Sequence, residues 1–315
     1  MSAVAILKGG RSLEREVSLR SGARVEDALQ RLGHEAYGID VDHDLVRRLR
    51  DLRPDVCFLA LHGRDGEDGT VQELLEILGL PYTGSGVSAC IRCADKVLAK
   101  HHMIDAGLPT PDFFAFTETA FKQLGAAEAL GEIEERLGFP IVVKPADQGS
   151  ALGLRIARDP AAVPGALVAA FSYSSKVLLE RHVGPTARDL AVSVLDGRAL
   201  PIVEAVPEGD VYDFDARYEI GRTSFACPAD LPEAVAGRAA ELAVEVHDLL
   251  GCRDVSRVDL LLDDDGGLHV LEVNVIPGLT ETSLLPQAAD AAGIGFDDLI
   301  ARLVDRALGR AGAPA

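Results

Sequence analysis

RVDLLLDDDGGLHVLEVNVIPGLTETSL, residues Arg257 to Leu284, has the pattern of a β-hairpin. An apolar run from Val258 to Leu262 meets the turn Asp263-Asp264-Asp265-Gly266-Gly267, and a second apolar run goes from Leu268 to Val273. Strand side chains alternate, so Arg257 and Asp259 share one face while Val258, Leu260 and Leu262 take the other. On the return strand Glu272 groups with Asn274. A turn centred near Asp265 and Gly266 sets Asp259 almost opposite Glu272. Opposed side chains lie ~5 Å apart, where two carboxylates repel by roughly 3 kcal/mol at an effective dielectric of ~20. A cation between them removes that repulsion. Two carboxylates plus the Asn274 amide oxygen form a hard donor set suited to Mg²⁺, which is commonly held by a few protein oxygens together with substrate phosphates. The alternative is an edge hairpin with solvated acids. Asn274, Pro277-Gly278 and the hydroxyls of Thr280, Thr282 and Ser283 weigh against it.

At 315 residues the chain can bury a large core and form two or three domains. Its net charge of -19 argues against nucleic acid and anionic membrane surfaces as partners, and any bound anion needs a local basic cluster. The longest apolar runs are strand-sized and the N-terminus lacks a signal-peptide pattern, so a cytoplasmic location is expected. Five cysteines, Cys57, Cys90, Cys93, Cys227 and Cys252, fit reduced thiols. Cys90 and Cys93 form a CxxC with no second pair at metal spacing, which favours a structural role in a helix. His34, His43 and His247 have no evident partner and are expected at the surface.

The opening VAILKGG reads as a buried strand, followed by a helix from about Ser12 through Ala28. No GxGxxG follows, so a dinucleotide site is weakly supported. A strand around Val56 to Leu61 ends in HGRDGEDGT, and Thr70 with Glu73 has the form of a capping box opening a helix that stops at Gly79. This alternation implies a small parallel sheet with ligands at its strand C-terminal ends. Gly84-Ser85-Gly86 marks a domain boundary, and one polar helix is expected from Ser88 to Ala106. From Pro111 to Glu180 the expected order is strand, helix, strand, glycine-rich turn, strand, helix, strand. A hairpin turned by Asp196-Gly197 runs from Asp189 to Val206, and a long loop, about Pro207 to Pro228, carries Tyr212, Phe214, Arg217 and Tyr218. A helix begins after Pro232 and closes at Gly251, and two helices follow Ser283.

Lys144 ends a strand and Gly149-Ser150-Ala151-Leu152-Gly153 follows, so an ammonium and free backbone N–H groups can converge on phosphate oxygens; Lys96 is a second candidate. The turn is not a Walker motif, since GxxxxGK[ST] is absent. Taken singly, Glu14 is equally an ordinary first-turn helix acid, Arg257 a partner for a nearby acid, Tyr218 core filling for its loop and Ser283 a helix N-cap.

Seven segments in order, GGRSLEREVSLRSG (9–22), HGRDGEDGT (62–70), ADK (94–96), VKPADQGSALG (143–153), YDFDARY (212–218), RVD (257–259) and EVNVIPGLTETSLLP (272–286), make the chain resemble the D-alanine:D-alanine ligases of the ATP-grasp superfamily over essentially its whole length. The resemblance implies an α/β (α+β) ATP-grasp fold. Its parts would be a Rossmann-like substrate domain at 1–86, a small central subdomain at 87–182 and a C-terminal mixed-sheet catalytic subdomain at 183–315, with ATP between two antiparallel sheets. It further implies ATP and two Mg²⁺ sites in which Mn²⁺ can substitute, D-alanine as substrate, a role in peptidoglycan synthesis and a homodimer.

Carried over by position, Lys96, Lys144, Arg217 and the loop with Gly149, Ser150 and Ala151 would bind ATP phosphates, while Glu180 and Asp189 would hold adenine and ribose. Asp259, Glu272 and Asn274 would ligate metal. Arg257 and the N–H of Gly278 would stabilise an oxyanion, and Glu14 would hold the first D-alanine, with His62 nearby. Ser283 and Leu284 would contact the second D-alanine, and Tyr218 with Ser150 and Glu14 would link the long loop to the site. Tyr218 favours an amine acceptor. Ala151, Asp189, Arg217 and Val275 depart from the usual Ser, Glu, Lys and Thr, and none of these changes removes a metal ligand. The chemistry implied is an acyl phosphate made from ATP and opened by an amine, which requires no cysteine nucleophile. A ligase for other amino acids and a nucleotide-binding regulator remain the alternatives. Arg257 alongside the donor set argues against the regulator.

Overall fold

The computed structural model describes residues 1–207 and 222–310. Ala3–Lys8 (β1), all apolar but for its last residue, lies between Glu35–Asp40 (β2) and Val56–Leu59 (β3) in a parallel sheet of order β2-β1-β3. The first helix, Arg15–Arg31 (α1), starts three residues later than Ser12. The Ser12 hydroxyl accepts from Glu14 N at 2.9 Å and its carbonyl from Arg15 N at 3.2 Å, and this tight turn delays the helix. Helices Leu45–Leu52 (α2) and Thr70–Leu78 (α3) follow β2 and β3 respectively. The expected Thr70/Glu73 capping box does not form: Gly69, at φ +98°, occupies the cap position, and Asp68 accepts from Thr70 N at 3.0 Å. Gly79 closes the helix in the left-handed conformation, as expected.

The single helix expected from Ser88 to Ala106 is two, Val87–Ala94 (α4) and Lys96–Asp105 (α5). Asp95 is extended between them, and its carboxylate accepts from Val97 N and Leu98 N, so it caps the second helix and breaks the first. Cys90 and Cys93 are buried in α4 as free thiols, with Cys93 Sγ 3.7 Å from Cys252 Sγ.

A four-stranded antiparallel sheet comes next, built from Phe113–Thr117 (β4), Ile141–Pro145 (β5), Arg155–Ala157 (β6) and Lys176–Arg181 (β7) in the order β4-β7-β5-β6. Helices Glu118–Gln123 (α6), Leu130–Leu137 (α7) and Val163–Phe171 (α8) accompany it. Ile133, Leu137, Ile141, Val143, Leu167 and Leu179 give it a core of its own.

The last sheet contains Arg188–Leu195 (β8), Arg198–Ala199 (β9), Val203–Pro207 (β10), Thr223–Ala226 (β11), Val255–Leu262 (β12) and Leu268–Asn274 (β13), ordered β11-β10-β8-β12-β13 with β9 on β8. Expected as mixed, it has only antiparallel pairings among the described residues, with the helix after β11 carrying the chain across to β12 beside β8. Asp196 and Gly197 turn β8 into β9 with φ of +53° and +72°. The expected loop from Pro207 to Pro228 ends in a strand, and Tyr212, Phe214, Arg217 and Tyr218 lie outside the described residues. Helix Glu233–Leu250 (α9) begins after Pro232 and stops at Gly251. His247, expected at the surface, is buried on α9, with Nδ1 2.7 Å from the Ser256 hydroxyl.

Helices Leu284–Ala291 (α10) and Phe296–Leu308 (α11) return to the N-terminal sheet. Leu285, Ile300, Leu303 and Val304 are buried in one cluster with Val4, Ile6, Val25, Leu29 and Phe58. Asp254, at φ +61°, secures the return: its carboxylate accepts from Gly84 N at 2.9 Å and takes both Arg310 nitrogens at 2.7 Å. Among the described residues no helix is long and apolar enough to cross a membrane.

Candidate active site

The hairpin alternation set out above places β12 and β13 in the register that matters. Asp259 pairs with Glu272 and Arg257 with Asn274, after which the register slips between Asp259 and Leu260, and Leu260 faces Val270. The slip leaves Leu271 as an extra residue. Asp263 holds the turn by accepting from Asp265 N and Gly267 N at 3.0 and 2.6 Å.

A cleft of about 180 Å³ opens beside this hairpin. The N-terminal loops bring Glu14 and His62 to it, the central region Lys96, Gly149 and Ser150, and the C-terminal region Arg257, Glu272, Asn274, Gly278, Ser283 and Leu284. Asp259 is not on its lining. Both Asp259 oxygens face the Arg257 guanidinium, at 2.6 and 2.8 Å. A second cavity of about 60 Å³ adjoins the first and is lined by Lys96, Lys144, Ala151 and Glu272. Lys96 and Glu272 line both.

Glu14 is 6% exposed and accepts a hydrogen bond from the Ser150 hydroxyl. The backbone approaches this carboxylate closely: a Cβ on Gly63 would meet Glu14 Oε2 at 2.5 Å, and one on Gly149 at 3.2 Å. Gly63 also has φ +71°, so glycine is required there on both counts. Ser150 and Ala151 themselves have φ of +54° and +53°, which bends the glycine-rich turn toward the cleft. His62, 4% exposed, sits with Nε2 3.1 Å from Ser21 Oγ and Nδ1 3.5 Å from Glu67.

Every anionic group of the hairpin face is met by a cation. Arg257 holds Asp259, and the Lys96 ammonium lies 3.1 Å from Glu272 while donating to the Gln148 carbonyl at 2.9 Å. Asn274 Oδ1 accepts from Ile276 N at 2.9 Å. Two carboxylates and an amide oxygen with no sulfur or imidazole among them fit a hard divalent ion, and the ammonium beside Glu272 shows that the face demands positive charge.

Lys144 donates to Glu180 at 2.6 Å, and the other Glu180 oxygen pairs with Lys100. Burial pushes the Glu180 carboxyl up, yet the ammoniums of Lys144 and Lys100 outweigh it and hold the group below the ordinary value of 4.5. Asp189 lies on β8, half-buried, opposite Leu261 and Ala205. At the far end of the cleft Ser283 precedes α10 without capping it, because its Oγ is engaged by Thr280 N at 3.0 Å and Thr280 Oγ1 at 2.8 Å. A Cβ on Gly278 would meet that same Oγ at 2.6 Å. Arg217 and Tyr218 fall outside the described residues.

Reading the sequence overlooked Lys100 and Glu67. Glu67 stands inside a segment already singled out, while Lys100 follows Lys96 by one helical turn on the helix expected from Ser88 to Ala106.

Comparison with known proteins gives a consistent set of likenesses. The family described as D-ala D-ala ligase C-terminus matches residues 103–305, and D-ala D-ala ligase N-terminus matches residues 46–85. The D-alanine–D-alanine ligase of Syntrophotalea carbinolica is 42% identical over 301 residues, covering 96% of this chain and 94% of that one. The crystal structure of D-alanine–D-alanine ligase from Bacillus anthracis superposes with a TM-score of 0.84 at 31% identity, covering 98% of each chain. A structure of the Bacillus anthracis enzyme complexed with ATP gives 0.82 at 31% identity, again over 98% of each.

Proposed function

The chain belongs to the D-alanine–D-alanine ligase family, and from that premise we propose how its cleft joins two D-alanines with ATP to make a peptidoglycan precursor. The observation that carries the reading is the meeting of Glu14, Ser150, Arg257, Glu272, Asn274, Gly278 and Ser283 around one cleft from three separate parts of the chain.

A carboxylate is a poor electrophile, so its oxygen first attacks the γ-phosphorus of ATP, releasing ADP and leaving an acyl phosphate. Lys96 and Lys144 neutralise the phosphates, with the turn from Gly149 to Gly153 over them; Arg217, outside the described residues, is a further phosphate cation that the family resemblance implies. Glu180 and Asp189 hold the adenosine. Glu14 accepts from the ammonium of the first D-alanine, near His62. The amine of the second D-alanine, in contact with Ser283 and Leu284, then attacks the acyl carbon. Arg257 and the Gly278 N–H stabilise the oxyanion until phosphate leaves. The family resemblance implies that Tyr218, outside the described residues, would act with Ser150 and Glu14 to keep water from the acyl phosphate. Asp259, Glu272 and Asn274 would hold two Mg²⁺, or Mn²⁺, whose charge offsets that of the triphosphate. Arg257 and Lys96 occupy two of those ligands here, so exchange with metal would free both cations for the oxyanion and the phosphates.

The three separate sheets support units at 1–86, 87–182 and 183–315. A cytoplasmic location follows from the use of ATP, and a homodimer rests on the family resemblance. Mass spectrometry of enzyme with ATP, Mg²⁺ and D-alanine tests the proposal. D-alanyl-D-alanine and ADP in equal amounts are expected, and their absence despite bound ATP would move the assignment to other amino acids.

A further inference from the structure

Lys100 takes no part in the reaction described above, yet it is fully buried on α5. An ammonium is rarely placed there without a purpose, because desolvating it costs several kcal/mol. Its nitrogen makes three contacts. It pairs with Glu180 on β7, it donates to the Thr110 hydroxyl, and it sits 5.4 Å from the centre of the Phe113 ring. Thr110 in turn donates to the Val270 carbonyl on β13 at 2.8 Å, two residues before Glu272. Lys100 therefore ties the central sheet to the catalytic hairpin.

The charges show what this tie does. Glu180 is 2% exposed and is shared by two cations, Lys100 and Lys144. Of these only Lys144 also lines the cavity beside Lys96. If Lys144 turned to a phosphate with no other cation present, Glu180 would remain as a lone buried carboxylate. We propose that Lys100 is a positioning residue for ATP: it stays on Glu180 as a standing counter-ion, so that Lys144 can leave the carboxylate for the nucleotide phosphates. Burial pulls Lys100 down to about 8, against the pull of Glu180, so the ammonium persists at neutral pH. This inference rests on the assignment of Lys144 to phosphate binding.

The test compares steady-state constants for K144M, K100M, E180Q and K100M/E180Q, varying ATP and D-alanine in turn. K144M should raise KM for ATP, and if it does not, the phosphate assignment itself fails. Given that rise, K100M should raise KM for ATP by about tenfold while KM for D-alanine stays within about twofold, because Lys144 is then held on Glu180. Glu180 also holds the adenosine, so E180Q alone is the reference for the double variant: on that background K100M should change KM for ATP by less than about twofold, since the neutral amide no longer holds Lys144. KM does not depend on the fraction of folded enzyme, so a destabilised K100M preparation still reports. If K100M yields no enzyme at all, the double variant and E180Q alone should share the same KM for ATP within about twofold. An unchanged KM for ATP in K100M, an equal rise for D-alanine, or a double variant worse than either single one would overturn the proposal.

Discussion

The Ser150 hydroxyl donates to the Glu14 carboxylate, joining the glycine-rich turn of the central region to the start of the first helix across the cleft. The bond spans 136 positions of sequence and closes one end of the site before any substrate enters. With Gly63 and Gly149 packed close by, the carboxylate has little freedom to turn elsewhere.

Glu14→Gln keeps this shape and removes the charge. A lost charge-assisted hydrogen bond of about 1.5–3 kcal/mol corresponds to a rise of roughly 10- to 100-fold in KM for the first D-alanine. Initial rates of ADP release against D-alanine concentration measure it, with KM for ATP as the internal control. An unchanged D-alanine KM would remove Glu14 from the substrate.

Glu272→Gln should leave the fold intact, by circular dichroism, and lower turnover by about a hundredfold or more. The substitution withdraws one of two opposed carboxylates and the partner of Lys96. Turnover at the wild-type rate would count against the metal assignment.

Gly278→Ala brings a methyl group to 2.6 Å from a Ser283 hydroxyl that Thr280 already anchors from two sides. One of the two must shift, and a displacement of this kind beside reacting atoms costs about tenfold or more in kcat/KM for the second D-alanine. Calorimetric titration with ATP should show nucleotide binding preserved. Loss of ATP binding would mean that the strain had spread beyond the acceptor end.

Asp254→Asn tests the join between the two ends of the chain. Asparagine tolerates the left-handed backbone at this position, so the change isolates the charge that binds Arg310 and the Gly84 N–H. Urea unfolding should show a loss of about 2–3 kcal/mol. A loss within experimental error would make the pair dispensable.

Acid should destabilise the fold through carboxylates held below their ordinary values. Hydrogen bonds from Arg15 and Arg31 lower Asp40 and Asp297, and Glu180 is lowered by Lys144 and Lys100 in spite of its burial. For groups depressed in the folded state, the contribution is complete above the unfolded values, 3.8 for Asp and 4.5 for Glu, and is lost as pH falls through the folded ones. Scanning calorimetry should therefore give a midpoint that changes little from neutral pH to about pH 5 and drops below about pH 4. The drop should be shallower in Glu180→Gln, and equal slopes would exclude Glu180 from the effect.

The pairing of Asp259 with Glu272 was legible because strand alternation and an Asp-Gly turn together leave few registers open. The slip at Leu260 was not, since a bulge depends on how both faces pack. The break at Asp95 was missed because the stretch from Ser88 to Ala106 holds no Gly or Pro to interrupt a helix, although an aspartate before a helical run is itself a cap signal. Lys100 could not be found from its neighbours in sequence. A long charged side chain on a helix is normally solvated, and only Glu180, eighty positions away, makes its burial tolerable. The same limit applies to Lys96 with Glu272: ion pairs between distant segments leave no local pattern.

Helices α10 and α11, made last, cover apolar residues of the sheet made first. While the ribosome is still translating the middle of the chain, Val4, Ile6 and Phe58 are covered only in part, by Val25, Ala28 and Leu29 of α1. The opening segment should therefore depend on chaperones or wait for release of the finished polypeptide, and a truncation lacking residues 284–310 should expose that surface and aggregate.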